Sequence, residues 1–468
     1  MQTLFDTICA VITPPGHSAV AMLRISGNRS IEIVCRFFSN HAKLQKAASH
    51  TMHYGTFRDN AGTAIDDVVC LLYRAPHSYT GEDSIEISCH GNPLIANRIL
   101  GTLLGHARMA TAGEFTRRAF LNGKMDLTQA EAVADVISAT TIKSELAALM
   151  QIKGYLATEL KNLLQRITTA RIKMELAIDF SDQDLPQIDL DTQRTQIAAI
   201  LNDMELLGSE GGKYIRDGIR ICLAGAPNLG KSSIFNALLK ENRAIVTPHP
   251  GTTRDYIEET IALDGYPVVV YDTAGIRNTV DEIEQMGITR THDLMQSADI
   301  ILYLLDQDSS YEFSPDFNEE RMIWVWNKID LAGFNGLPSQ EDWERYLMSL
   351  QLRLPHEVDD EPIVMNIIPC STVLPDGLTA LTDAILSKLS LPRDIENRPL
   401  ITNTRHLAAL QRSRTAIQAA LQAMDCDAGY EFVAFDLIEA SSALEEILGV
   451  ISTDDLLDSI FTNFCIGK

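Results

Sequence analysis

None of the eight cysteines forms a CxxC pair. They stand at positions 9, 35, 70, 89, 222, 370, 426 and 465, a scatter that weakens structural-zinc and dithiol-redox readings. Isolated thiols suit a reducing compartment, and a cytoplasmic location is expected. No apolar run reaches the ~18–20 residues a membrane span needs, so no membrane is expected as a partner. The first ten residues carry Asp6 and no basic cluster, unlike a secretory leader. Basic residues are scarce: 39 Lys+Arg against 63 Asp+Glu give a net charge of -24, which argues against a general nucleic-acid binder. The acidity is uneven. Residues 1–120 hold 11 basic and 9 acidic side chains, a balance of +2, and the remainder stands at -26. An anionic substrate or cofactor is therefore better met by the N-terminal region.

What is present is ordinary soluble-protein composition, 46% hydrophobic and 22% charged, over a length that suggests about two to four domains. Residues 1–120 mix short apolar runs with turn signals. Val20–Ile25, Val68–Tyr73 and Ser84–Ser88 read as strands of an α+β domain. Residues 121–212 contain a single proline, Pro186. There Leu149, Ile152, Leu156, Leu160, Leu163, Ile167, Ala170 and Met174 recur at helical spacing, the core stripe of a bundle, which Gly154 need not interrupt. Residues 213–390 alternate strand and helix patterns as a parallel α/β sheet does, with strands expected at Ile219–Leu223, Val268–Tyr271, Ile300–Leu305, Met322–Val325 and Ile363–Ile368. Residues 391–468 return to helix, and Thr453 before Asp454-Asp455 reads as an N-cap. The order predicts an α/β domain inserted in a helical bundle.

Four motifs sit in order along the α/β segment. Gly225-Ala226-Pro227-Asn228-Leu229-Gly230-Lys231-Ser232 fits GxxxxGK[ST] after a strand and before the helical Ser233–Leu239. Its amides can wrap phosphates at a helix N-terminus, Lys231 can reach the β- and γ-phosphates, and the Ser232 hydroxyl can ligate Mg²⁺. Asp272-Thr273-Ala274-Gly275 follows a strand, with the carboxylate toward the Mg²⁺ shell and the glycine amide toward the γ-phosphate. Thr253, within Gly251-Thr252-Thr253-Arg254-Asp255, can supply a second hydroxyl to Mg²⁺. Asn327-Lys328-Ile329-Asp330 ends the Met322–Trp326 strand, and Asp330 can accept both guanine N–H donors. Such bidentate pairing discriminates bases by roughly 1–3 kcal/mol. Together the motifs predict a P-loop site for GTP. The usual Ser-Ala-Lys-like loop is replaced by Cys370-Ser371-Thr372-Val373, which leaves the last guanine contact open.

A Gln that would orient the attacking water is replaced by Ile276, so another group must position water and another charge must stabilise the transition state. Asn228 carries an amide oxygen suited to a monovalent cation, with a simple loop hydrogen bond as the alternative. Asp281, Glu282 or Glu284 could orient water, with a solvated helix as the alternative.

Further blocks lie outside these motifs: Thr13-Pro14-Pro15-Gly16, Leu23-Arg24-Ile25-Ser26-Gly27, Tyr79-Thr80-Gly81-Glu82-Asp83 and His90-Gly91-Asn92. Gly113–Lys124 continues through Asp126-Leu127 to Gln129–Ala132, and the tail reads Phe464-Cys465-Ile466-Gly467-Lys468. With them, the whole chain resembles the MnmE/TrmE family of tRNA-modifying GTPases. The resemblance implies an N-terminal dimerisation domain similar to folate-dependent one-carbon enzymes, binding formyl- or methylene-tetrahydrofolate with Arg24, Glu82, Lys124 and Lys468. It implies that Asn228, Thr247, His249 and Thr252 hold K⁺, that Glu284 orients water, and that two GTPase domains meet face to face with K⁺ in place of an arginine finger. The backbone and side chains of Leu229, Gly230, Ser233, Thr273, Ala274 and Lys328 fall in the implied GTP contacts. It implies a homodimer working with an FAD-dependent partner, in a heterotetramer or larger complex, to install an aminomethyl-type group at C5 of the wobble uridine of certain tRNAs. Two departures stand out, His249 between two prolines and Ala112 where a proline is commoner. Cys465 is a candidate nucleophile or an inert thiol, and its C-terminal context is poor for prenylation.

Two other classes remain open at this stage. A ribosome-assembly or RNA-chaperone GTPase could share the central motifs but usually carries a basic RNA-binding module. A dynamin-like scaffold would need a membrane surface, for which no basic amphipathic stripe stands out.

Overall fold

The computed structural model describes residues 6–179, 189–208, 211–226, 228–242, 257–272, 294–305, 321–331, 367–389, 391, 400–426, 428–451, 453–462 and 464–468. These form two compact units. The first comprises Met1–Ala134, Gln151–Ala198 and Arg412–Lys468; the second comprises Asp135–Met150 and Ala199–Gln411.

In the first unit, six strands form one sheet in the order β3-β4-β5-β2-β1-β6. They are β1 (Ile8–Val11), β2 (Val20–Ser26), β3 (Thr51–Arg58), β4 (Ala64–Tyr73), β5 (Ser84–His90) and β6 (Arg108–Met109). All neighbours are antiparallel except β1 with β6. Alternation places Leu23, Ile25, Cys70, Leu72, Ile85 and Ile87 in the core. There they meet α1 (Ser30–Phe37) and α3 (Pro93–Leu104), while α2 (His41–Lys46) follows α1 directly. The helices α4 (Glu114–Leu121) and α5 (Leu127–Ser138) complete the N-terminal segment.

The expected single helical stripe is two helices, α6 (Ile142–Ile152) and α7 (Tyr155–Asp179). Gly154 takes φ +82°, a left-handed conformation that stops α6 rather than softening it. Leu156, Leu160, Leu163, Ile167, Ala170 and Met174 are all buried on α7. That face packs against the helix Tyr430–Leu448, whose own buried face runs Val433, Leu437, Ala440, Leu444 and Ile447. Thr453 caps the helix Asp454–Thr462 as its spacing predicts, its hydroxyl accepting from the Leu456 amide at 3.3 Å.

The second unit follows α8 (Leu190–Leu207), begun in the first unit, with α9 (Gly211–Asp217) and a six-stranded sheet in the order β12-β11-β10-β7-β9-β8. Its strands are β7 (Ile219–Ala224), β8 (Ile257–Leu263), β9 (Tyr266–Asp272), β10 (Ile300–Leu305), β11 (Met322–Trp326) and β12 (Ile367–Pro369). All neighbours are parallel except β8 with β9. Strands buried on both faces read as continuous apolar runs, as in Ile300–Leu305. The helices α10 (Lys231–Asn242) and Thr379–Lys388 cover the sheet. Of the expected Ile363–Ile368 strand, only its last two residues are described, and they begin β12.

Candidate functional site

The parallel strands of the second unit end at a common edge, where open α/β sheets bind ligands. β7 lies between β9 and β10, with Leu223 paired to Asp272 and Ala224 to Tyr303. Residues 225–230 link the end of β7 to α10. Leu229 anchors this loop in the core at 3% exposure. Asn228 adopts φ +67°, a left-handed conformation that asparagine tolerates better than most residues, and its side chain is exposed. Lys231 is 8% exposed, and its ammonium donates to the Gly225 and Ala226 carbonyls at 2.8 Å each. The loop thus holds a desolvated cation at its centre, where it can meet phosphate oxygens. Ser232 and Ser233 are exposed on the first turn of α10.

At the end of β11, Asn327 is 4% exposed and its Nδ2 donates to the Leu229 carbonyl at 2.7 Å. The approach is close: a Cβ at Gly230 would come within 2.4 Å of that nitrogen, so only glycine fits there. Asn327, expected among the nucleotide contacts, braces the phosphate loop. Lys328 takes φ +64° beside it. The Asp330 carboxylate Oδ1 accepts from the Ser371 hydroxyl at 2.7 Å. Ser371 is 1% exposed, and its Oγ accepts from the Val373 and Leu374 amides at 3.1 and 3.2 Å. The loop that departs from Ser-Ala-Lys therefore still orients the Asp330 carboxylate. Ser371 stands in the loop whose guanine contact the sequence left open; its bond to Asp330 is what spacing alone did not give. Burial pushes the neighbouring Cys370 thiol up to about 12, so it stays protonated.

Several expected contacts lie outside the described residues: Thr247, His249, Thr252, Thr253, Thr273, Ala274, Gly275 and Glu284. Asp272 is placed by its backbone at the end of β9. No cluster of three or more His, Cys, Asp or Glu suited to a metal occurs among the described residues. The hydroxyl of Ser232 is nevertheless the hard oxygen type that Mg²⁺ takes.

Two family models match the chain. The MnmE helical domain matches residues 127–465, a span that includes the whole α/β sheet, and the N-terminus of GTP-binding protein TrmE matches residues 7–124. The chain belongs to the MnmE family. The tRNA modification GTPase MnmE of Aquifex aeolicus is 37% identical over 472 residues, covering 99% of this chain and 100% of that one. MnmE of Salinibacter ruber is 39% identical over 479 residues, covering 99% of each. MnmE of Clostridioides difficile is 36% identical over 479 residues, again covering 99% of each.

The N-terminal region matched as TrmE carries a second group of residues. Arg24, on β2, donates through Nε and Nη2 to Glu86 at 2.9 and 2.8 Å. Its guanidinium lies 4.9 Å from the Tyr79 ring centre and 5.4 Å from that of Phe115. Glu82 accepts from Ser26 Oγ at 2.8 Å and from Arg118 Nη1 at 3.1 Å. Arg118 is 4% exposed and also holds Asp6 and Glu114, at 2.7 and 3.0 Å. Glu82 is thus tied into a buried ion network. Lys124 is exposed and donates to the Pro76 carbonyl at 3.0 Å.

The tail docks on the same segment. The Gly113 amide donates to the Cys465 carbonyl at 3.4 Å, Ala112 bridges Ile466, and the Phe115 amide donates to the Lys468 carbonyl at 3.2 Å. Lys468 is thereby linked to Arg24 through Phe115. Cys465 is exposed. Among the described residues no helix is long and apolar enough to cross a membrane.

Proposed function

We propose that this chain hydrolyses GTP in the service of tRNA modification, as its relatives, the tRNA modification GTPases MnmE, are named for doing. The observation that carries this reading is the pairing of a cationic phosphate loop with an oriented acidic base reader. Lys231 is held by two loop carbonyls, Asp330 is held by Ser371, and Asn327 joins the two loops. Lys231 meets the β- and γ-phosphates and Asp330 accepts from guanine. Ser232 and Thr253 supply oxygens to Mg²⁺, which neutralises developing phosphate charge when bound.

In the finer reading, Asn228 with Thr247, His249 and Thr252 holds K⁺ as two GTPase domains meet, and Glu284 orients the water. Asn228 suits this role because its amide is exposed at the turn of the phosphate loop. The region around Arg24, Glu82, Lys124 and Lys468 takes a tetrahydrofolate. Its fit rests on two aromatic rings beside Arg24 and the exposed Lys124 ammonium, which suits an anionic glutamate tail. Glu82 then acts through its ion pair with Arg118. The homodimer, with an FAD-dependent partner, modifies C5 of wobble uridine in a cytoplasmic setting. The domain boundaries of this reading are 1–120, 121–212, 213–390 and 391–468.

The test is twofold. The purified chain should turn over GTP and leave ATP untouched, and cells lacking it should show altered wobble nucleosides by mass spectrometry. Equal turnover of both nucleotides would remove the guanine assignment. Normal wobble nucleosides would remove the tRNA assignment.

A further inference from the structure

The hairpin β8–β9 turns at Asp264-Gly265, where both residues have positive φ, +47° and +78°, as a type I′ turn requires. Its register runs from Leu263 opposite Tyr266 at the tip to Ile257 opposite Asp272 at the open end. The same β9 is bonded in parallel to β7, which leads into the phosphate loop. A strand barely stretches along its length, so a slide at the Asp272 end must appear at the tip.

The tip is gripped by one side chain of α6. Lys143 Nζ lies 3.0 Å from Asp264 Oδ2 and 4.3 Å from the centre of the Tyr266 ring. The lysine stem packs over the turn itself: a Cβ at Gly265 would come within 2.9 Å of Lys143 Cγ. Tyr266 is fully buried and the Lys143 side chain is only 15% exposed, so the ammonium is largely withdrawn from water against a carboxylate and a ring face. The segment carrying Lys143 is fixed in the second unit at two other points. Asp135 pairs with Arg216 at 3.1 Å, and Ala147 packs against the sheet core. Beyond Met150 the same helix runs into residues of the first unit. There Gln151 donates to the Thr128 carbonyl and the Ile152 carbonyl accepts from Gln129, both at 2.8 Å.

We propose that Lys143 is a positioning residue for GTP hydrolysis: by holding the Asp264-Gly265 tip it sets the reach of β9 toward the nucleotide, and it passes movement of that strand into α6. The inference rests on the reading that the Asp272 end of β9 meets GTP. The charge fixes the tip, the glycine lets the stem seat, and the helix carries displacement out of the α/β sheet along the covalent chain.

The test uses the full chain with Lys143→Met, which keeps the stem and removes the charge, Asp264→Asn, and the conservative Lys143→Arg. Amide hydrogen exchange is compared between GDP and a non-hydrolysable GTP analogue, alongside GTP turnover. In the parent chain and in Lys143→Arg, peptides covering 142–152 should exchange differently in the two nucleotides. In Lys143→Met and Asp264→Asn that difference should vanish, with KM within about twofold and kcat lowered about fivefold or more. A merely structural lysine would lower the melting temperature and leave the nucleotide-dependent difference in place. Should Lys143→Met fail to fold, Asp264→Asn, at a half-exposed turn position, tests the same grip. A retained difference at 142–152 with unchanged kcat in either variant overturns the proposal. A parent chain whose α10 peptides ignore the GTP analogue overturns the GTPase reading, and this inference with it.

Discussion

Asn327 Nδ2 donates to the Leu229 carbonyl at 2.7 Å across a sequence separation of 98 residues. One amide thus sets the spacing between the loop proposed to hold phosphates and the loop proposed to read the base. Replacing it should damage both functions together. Asn327→Ala leaves a buried carbonyl without its donor, a cost of about 1–3 kcal/mol, and should weaken GDP and GTP alike by roughly 10–100-fold. Titration calorimetry with both nucleotides checks this. A loss confined to base discrimination would show that the two loops are set independently.

Ser371 stands one step back from the base contact proposed for Asp330. Its hydroxyl aims Asp330 while accepting two backbone amides. Ser371→Ala removes a bond to a charged acceptor and should cost roughly tenfold in guanine-nucleotide affinity. Unfolding by denaturant should change far less than Asp330-dependent binding, and Ser371→Thr should recover part of it.

Hydrolysis should depend on the identity of the monovalent ion. Replacing Na⁺ by K⁺ is expected to raise GTP turnover by at least about tenfold, within the range of a supplied cation. Glu284→Ala should keep GTP affinity and lose turnover. Equal rates in the two salts would discard the cation mechanism, and full turnover in the variant would remove Glu284 from it.

Acid should weaken the first unit in two stages. His53 is buried, and burial, with Lys43 nearby, holds its pKa below 6.5. The unfolded chain therefore binds the proton first, so this stability is intact above about pH 6.5 and falls as pH drops below it. Arg108, then Arg118, hold Asp6 below 3.8. Burial pushes Glu114 up, but Arg108, the Thr111 amide and Arg118 together hold it below 4.5. Both carboxylates stabilise the fold above their unfolded values and lose that contribution as pH falls further. Urea midpoints measured from pH 7 to 3 should show the two declines, and Glu114→Gln should flatten only the lower one.

The phosphate loop was legible because its requirements are local: two glycines, a lysine and a following helix within eight residues. The roles of Ser371 and Asn327 were not, because each depends on a partner placed by the sheet. Strand β8 escaped the sequence reading although Asp264-Gly265 was a strong hairpin signal. Its apolar run is only Ile261-Ala262-Leu263, preceded by the polar Glu258-Glu259-Thr260, too short to stand out. Leu149 and Ile152 kept helical spacing with the α7 stripe, so periodicity concealed the break that the backbone of Gly154 makes. Arg24 and Glu82 stood out only through the family resemblance, because their partners Glu86 and Arg118 come from other elements and no spacing rule links them.

The bonding of Gly113 to Cys465 has a bearing on how the molecule is made. A ribosome adding ~5–20 residues per second delivers the second of these roughly 20–70 s after the first. Throughout that wait the α4 segment lacks the hydrogen bonds of the tail, while the whole α/β sheet emerges. The core of the N-terminal sheet, drawn from Cys9 to Leu103, can close early, so the α4 segment is what waits for the tail and is completed last.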